Sequence, residues 1–158
     1  MAAVLEFDEE MSRRVEAIYK TEDAARRRRA VLEALAPSSG ERVIDIGTGP
    51  GFLALEFAGR VGPVGDVLGV DISDPMLQLA RARCADMPQV RFETGDVTKL
   101  PVGDASFDVA ASVQVFEYVG DVQAALVEMY RVLRQGVAGR SSRRTGELLA
   151  GTARMRTG

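Results

Sequence analysis

The sequence contains no histidine and one cysteine, Cys84, in 158 residues. A lone thiol cannot close an internal disulfide, and without imidazole it cannot assemble a zinc site. No stretch approaches the roughly 18 consecutive apolar residues of a membrane span. The opening MAAVLEFDEEMSRR is acidic where a secretion signal is basic and then apolar. These absences predict a cytoplasmic chain with no metal centre and no membrane partner. A net charge of −3 offers polyanions no broad attraction, which argues against nucleic acid as a partner.

What is present is a globular balance, 46% hydrophobic and 27% charged, in a length that suits one domain with a real core. Charge is uneven along it. Residues 136–158 carry five arginines and one glutamate, leaving 15 basic and 22 acidic residues before them, a body of −7 and a tail of +4. Three segments are expected: a helical N-terminal stretch over 1–36, an α/β body over 37–135, and a basic, poorly ordered tail over 136–158.

Apolar spacing predicts two helices between Asp8 and Leu35, broken near Lys20, with Thr21 capping the second ahead of Glu22 and Asp23. After Pro37-Ser38-Ser39-Gly40 the pattern alternates. Strands are predicted over 42–46, 66–70, 90–93 and 107–113, and helices over 52–60, 75–85 and 122–133. Strand and helix in alternation indicate a parallel sheet with crossover helices, an α/β fold. The nearly continuous apolar runs VIDI and FDVAASV suit strands covered on both faces.

The strongest local signal is Asp45-Ile-Gly47-Thr48-Gly49-Pro-Gly51-Phe52, running from strand to helix. Glycines let the backbone turn tightly and approach a ligand, and the following helix offers unpaired amides; the bland alternative is a sharp turn and nothing more. A dinucleotide fingerprint needs its third glycine at position 52, which is Phe, so NAD is disfavoured. Asp45, closing its strand, can accept from a ligand ammonium or merely brace the turn. Asp71 closes the next strand, where an acid can bond a ribose diol; its alternative role, capping the following helix, falls more naturally to Ser73 or Asp74. Asp96, after Gly95, can meet an adenine amino group with Ile72 on the ring face, or be an ordinary turn residue.

Val43–Phe57, Asp66–Ser73, Gly95–Pro101 and Phe107–Leu133 together resemble the successive motifs of class I S-adenosylmethionine (SAM)-dependent methyltransferases, across most of 42–134. TKLP before DASFDV, and YRVLR, are similar to the small-molecule branch that includes ubiquinone/menaquinone-biosynthesis and arsenite methyltransferases. The resemblance implies a Rossmann-like sheet, SAM as cofactor and a small-molecule methyl acceptor. It implies cofactor roles for Asp45, Gly47, Thr48, Gly49, Gly51, Asp71, Ile72, Asp96, Val97 and Ser112. Gln114, Glu117 and Tyr118 are then the substrate-side candidates, with ordinary packing as their alternative. Tyr19 resembles the aromatic such enzymes lay over the cofactor, and is otherwise a core residue. Cys84 reads as a small packed residue, so the paired thiols of an arsenic enzyme are not evident.

Beyond Leu133 the family pattern continues into an apolar fifth strand and two more. Here the text is QGVAGRSSRRT, with no apolar run of strand length. A sheet of about four strands is therefore expected, incomplete beside the seven-stranded family fold. Its fourth strand would be a bare edge open to self-association, and the ending reads as truncated or frame-disrupted. A catalytically silent nucleotide-binding or interaction module is the alternative to an active enzyme.

Overall fold

The computed structural model of the chain describes residues 9–113, 119–134 and 144–148. Two N-terminal helices, α1 (Glu9–Tyr19) and α2 (Glu22–Leu35), precede β1 (Arg42–Ile46), α3 (Phe52–Val61), β2 (Asp66–Asp71), α4 (Asp74–Arg83) and β3 (Val90–Thr94). Then come β4 (Val109–Val113), α5 (Val122–Val132) and β5 (Arg144–Leu148). Helix starts follow the local chemistry. Thr21 accepts from the Ala24 amide, Ser73 from the Met76 amide and Asp121 from the Ala124 amide, each capping its helix.

The strands are parallel and ordered β3-β2-β1-β4-β5. The chain thus starts in the middle, walks outward through β2 and β3, and crosses back to lay β4 on the other side of β1. Parallel order forces the carboxyl ends of β1 and β4 to open a crevice where the direction of winding reverses, the usual ligand position in such sheets.

Pleating sorts the side chains into two layers. Val43, Val67, Val109 and Ala111 face α2 and α3, where Val31, Leu32, Leu53 and Phe57 are buried with them. Ile44, Ile46, Leu68, Val70 and Ala110 face the opposite way, onto Phe107, Ala125, Met129 and Val132. Fully burying each of the Val, Leu, Ile, Phe and Met side chains contributes about 1.5–3 kcal/mol, so β1, β2 and β4, covered on both faces, form a rigid floor for whatever their ends carry.

The four strands read from the sequence are present, and a fifth joins them. β5 pairs with β4 from Val109 opposite Arg144 to Val113 opposite Leu148. It lies in the stretch where no strand was expected and corrects the picture of β4 as a bare edge. A ladder is made by backbone amides and carbonyls, which Arg-Thr-Gly-Glu-Leu supplies as well as any apolar run; such a strand has no hydropathic signature. Among the described residues, no helix is long and apolar enough to cross a membrane, and no group of three or more His, Cys, Asp or Glu could hold a metal ion.

Candidate functional site

The loop from β1 to α3 is suspended from β2. Gly47 and Thr48 both donate their amides to the Val70 carbonyl, at 2.8 and 3.0 Å, and Gly47, Gly49 and Gly51 all have positive φ. Gly51 is required twice over: its φ is 85°, and a β-carbon there would lie 2.8 Å from Ala80 Cβ of α4. Gly51 is also the N-cap of α3 and supplies no side-chain bond, so the first amides of α3 remain available to a ligand.

Asp45 is buried, 2% exposed, and accepts a 2.8 Å bond from the Thr48 hydroxyl. Burial pushes its carboxyl up to about 7; the Thr48 bond pulls down and the neighbouring Asp71 carboxylate pushes up. Asp45 has no cationic partner among the described residues. Asp71 is half-buried. One of its oxygens accepts from the Gly49 amide and the other from the Ser73 amide, both at 2.9 Å. Burial raises its pKa, against the pull of those backbone amides. Ser73 caps α4 as read from the sequence, but Asp71 is not idle: it braces the glycine loop, keeping second lone pairs for a ligand.

Register puts the two carboxylates on one side. Asp45 lies opposite Gly69 of β2, so Asp71, two residues on, shares its face. Beside Asp45 a cleft of about 200 Å³ opens, roofed by Ile18, Tyr19, Thr21, Asp23, Arg27 and Arg28 at the turn between α1 and α2. Its floor includes Gly47, Thr48, Leu53 and Val113, the last at the carboxyl end of β4. Tyr19 stacks on Phe52, centroids 6.0 Å apart at 14°, and its hydroxyl stands above Gly49.

The other predicted residues are more scattered. Ile72, 68% exposed, stands beside Asp71 as a free apolar face. Asp96 is exposed and accepts from the Thr98 amide and hydroxyl, both at 2.8 Å, bonds that hold its pKa down; this is a turn residue's geometry. Val97 packs against the α5-side core. Ser112 pairs with Ile46 and so shares the pleat facing α5; its buried hydroxyl has no partner. Val113, not Ser112, reaches the cleft. Gln114, Glu117 and Tyr118 lie outside the described residues. Sequence reasoning missed Arg27 and Arg28 on the roof and Arg83 behind the loop. Arg28 is committed to Glu56 and the Tyr19 carbonyl, whereas Arg27 lines the cleft without a hydrogen bond or ion pair among the described residues. The run Arg26–Arg29 was the only signal, and it reads equally as a solvated face.

The chain is similar to known proteins in both sequence and fold. The sequence model of a family described as methyltransferase domain matches residues 43–136. The chain is 43% identical over 117 residues, 73% of its length, to an uncharacterized 37.1 kDa protein in transposon TN4556 of Streptomyces fradiae, covering 34% of that protein. It is 42% identical over 115 residues, 72% of its length, to the demethylmenaquinone methyltransferase of Deinococcus radiodurans, covering 47% of it. The chain therefore spans about a third to a half of these relatives. Among solved structures, a Methanococcus maripaludis protein assigned to the SAM-dependent methyltransferases superposes with a TM-score of 0.72 at 26% identity, covering 82% of this chain and 61% of that one. The [4+2]-cyclase SpnF superposes at 0.66 with 27% identity, covering 72% and 42%.

Proposed function

This chain belongs to the methyltransferase domain family, and on that premise we propose that it forms the cofactor-binding part of a SAM-dependent methyltransferase acting on a small molecule. The observation that carries the reading is Asp45, a buried carboxyl at the crevice between β1 and β4 with no cation beside it among the described residues. An α-ammonium would supply that cation, and Arg27 across the cleft suits the matching α-carboxylate. Asp71 would take the ribose hydroxyls with its remaining lone pairs, Gly47–Gly51 the backbone approach, and Ile72 one face of the adenine.

SAM, when bound, supplies a sulfonium methyl with a good leaving group. Transfer of that methyl is an in-line displacement, so the protein's part is to position and desolvate the reactants. Tyr19, Leu53 and Val113 provide an apolar wall at the cleft. With no histidine in the chain, a base, where the acceptor needs one, is a carboxylate or tyrosine; Glu117 and Tyr118 follow β4 in the chain and are the candidates, with Gln114 beside them. Arsenite is not the proposed acceptor, because the one thiol is buried against the Gly51 carbonyl. A cytoplasmic setting suits that single unpaired thiol.

A second reading is a module that keeps the cofactor cradle without transferring methyl, favoured by the likeness to a cyclase at 27% identity. Calorimetric titration with SAM, S-adenosylhomocysteine and NAD tests the shared core of both readings. Binding of the two adenosyl ligands supports it, and binding of NAD alone overturns it. Transfer of labelled methyl to an acceptor separates the enzyme from the silent module.

A further inference from the structure

Arg83, in the last turn of α4, makes no contact with the cleft, yet its contacts converge on the loop that forms it. Its Nε donates to the Pro50 carbonyl at 3.0 Å. Its guanidinium lies 3.6 Å over the centre of the Phe52 ring, and its terminal nitrogen is ion-paired with Glu16 of α1. One side chain thus joins the glycine loop, the first residue of α3 and the helix that ends in Tyr19. Phe52 passes the connection on, since Tyr19 stacks on it and Arg28 approaches it at 4.9 Å while donating to the Tyr19 carbonyl. Phe52 belongs to neither buried cluster of the core, so this assembly is a separate structure on the ligand end of the sheet.

We propose that Arg83 is a positioning residue for the cofactor: it fixes the Pro50–Phe52 turn and docks α1 so that Tyr19 roofs Gly49. It acts with no contact to the ligand. The three interactions need different faces of one group, a flat surface for the ring, an in-plane donor for the carbonyl and a second donor for the carboxylate. A guanidinium offers all three at fixed angles, whereas an ammonium can donate to both acceptors but has no flat face to lay on the ring and no rigid fork to hold the two bonds apart. The proposal rests on the reading of the cleft as a SAM site.

The test uses the whole chain with Arg83→Lys, Arg83→Ala and Glu16→Gln, measuring S-adenosylhomocysteine affinity by calorimetry and thermal stability in parallel. Arg83→Lys should keep a near-normal melting temperature while losing affinity on the order of tenfold, the scale of one charge-assisted hydrogen bond. Glu16→Gln, which leaves the stack and the Pro50 bond intact, should lose less. Unchanged affinity in Arg83→Lys, or affinity in all three variants that simply tracks melting temperature, overturns the assignment and leaves Arg83 a stabilising residue. Failure of the unsubstituted chain to bind S-adenosylhomocysteine overturns the cofactor reading itself, and this proposal with it.

Discussion

Asp45 and Asp71 stand on the same face of the sheet, on neighbouring strands, and hold adjoining residues of one loop. Thr48 donates its hydroxyl to Asp45 at 2.8 Å, and Gly49 donates its amide to Asp71 at 2.9 Å. Two carboxylates so placed repel each other, and that repulsion adds to the burial that keeps Asp45 protonated. The loop is therefore a spacer between like charges as well as a cradle. A cation entering beside Asp45 relieves both costs at once.

Asp45 gives a pH signature with a definite sign. Its carboxyl is raised from 3.8 to about 7 in the folded chain, so the native state holds an extra proton between those values. The stability it contributes is full below the unfolded value and is lost as pH rises through the folded one. At about 1.4 kcal/mol per unit the loss reaches at most about 4 kcal/mol at alkaline pH. Asp45→Asn should flatten the urea midpoint from about pH 5 to about pH 8; a slope identical to that of the parent chain would show that another group is titrating.

The same carboxyl should release a proton when it meets an ammonium. S-adenosylhomocysteine binding at about pH 6 is expected to release close to one proton, and close to none well above pH 7 or in Asp45→Asn. Calorimetry in buffers of different ionisation enthalpy reads this directly. A binding heat that does not depend on the buffer at about pH 6 would mean that the ammonium lies elsewhere.

Asp71 has two duties, and substitutions can separate them. Asp71→Asn keeps one acceptor oxygen for a loop amide but loses the charge offered to the ribose; Asp71→Ala loses both. Affinity should fall by about 1.5–3 kcal/mol in the first case and further in the second. If Asn binds as well as Asp while Ala does not, the residue serves the loop alone.

The site was legible in the sequence to the extent that local rules determine it. The strand-glycine-helix run, the acid closing each strand and the Ser73 cap depend on residues within a few positions of one another, and they sit where spacing placed them. Ser112 and Val113 show what was hidden. Both end β4, and only the register of β4 on β1, Ile46 opposite Ser112, decides which faces the cleft. Arg83 was hidden more deeply, because its contacts with Pro50 and Glu16 span 33 and 67 positions. β5 escaped because a strand recruited by backbone pairing carries no alternation to read.

Gly69 tests whether the cradle depends on its floor. It lies in β2 opposite Asp45, and a β-carbon there would come within 2.5 Å of Phe92 Cδ1 and 2.8 Å of the Thr48 hydroxyl. The Phe92 ring can rotate, but the Thr48 hydroxyl cannot retreat without breaking its bond to buried Asp45. Gly69→Ala should therefore cost about 1–3 kcal/mol of stability, the range for overpacking a filled interior. It should also weaken S-adenosylhomocysteine by more than Asp45→Asn does at the same pH, because it displaces the loop as well as the carboxyl. Thr48→Val provides the control: it removes the same hydrogen bond with no added bulk, so Asp45 should titrate higher still while the loop stays in place. Gly69→Ala and Thr48→Val weakening the ligand equally would assign the whole effect to the lost hydroxyl. An unaffected Gly69→Ala would show that the floor of the cradle yields, and that the loop owes its shape to α4 and to the Val70 carbonyl.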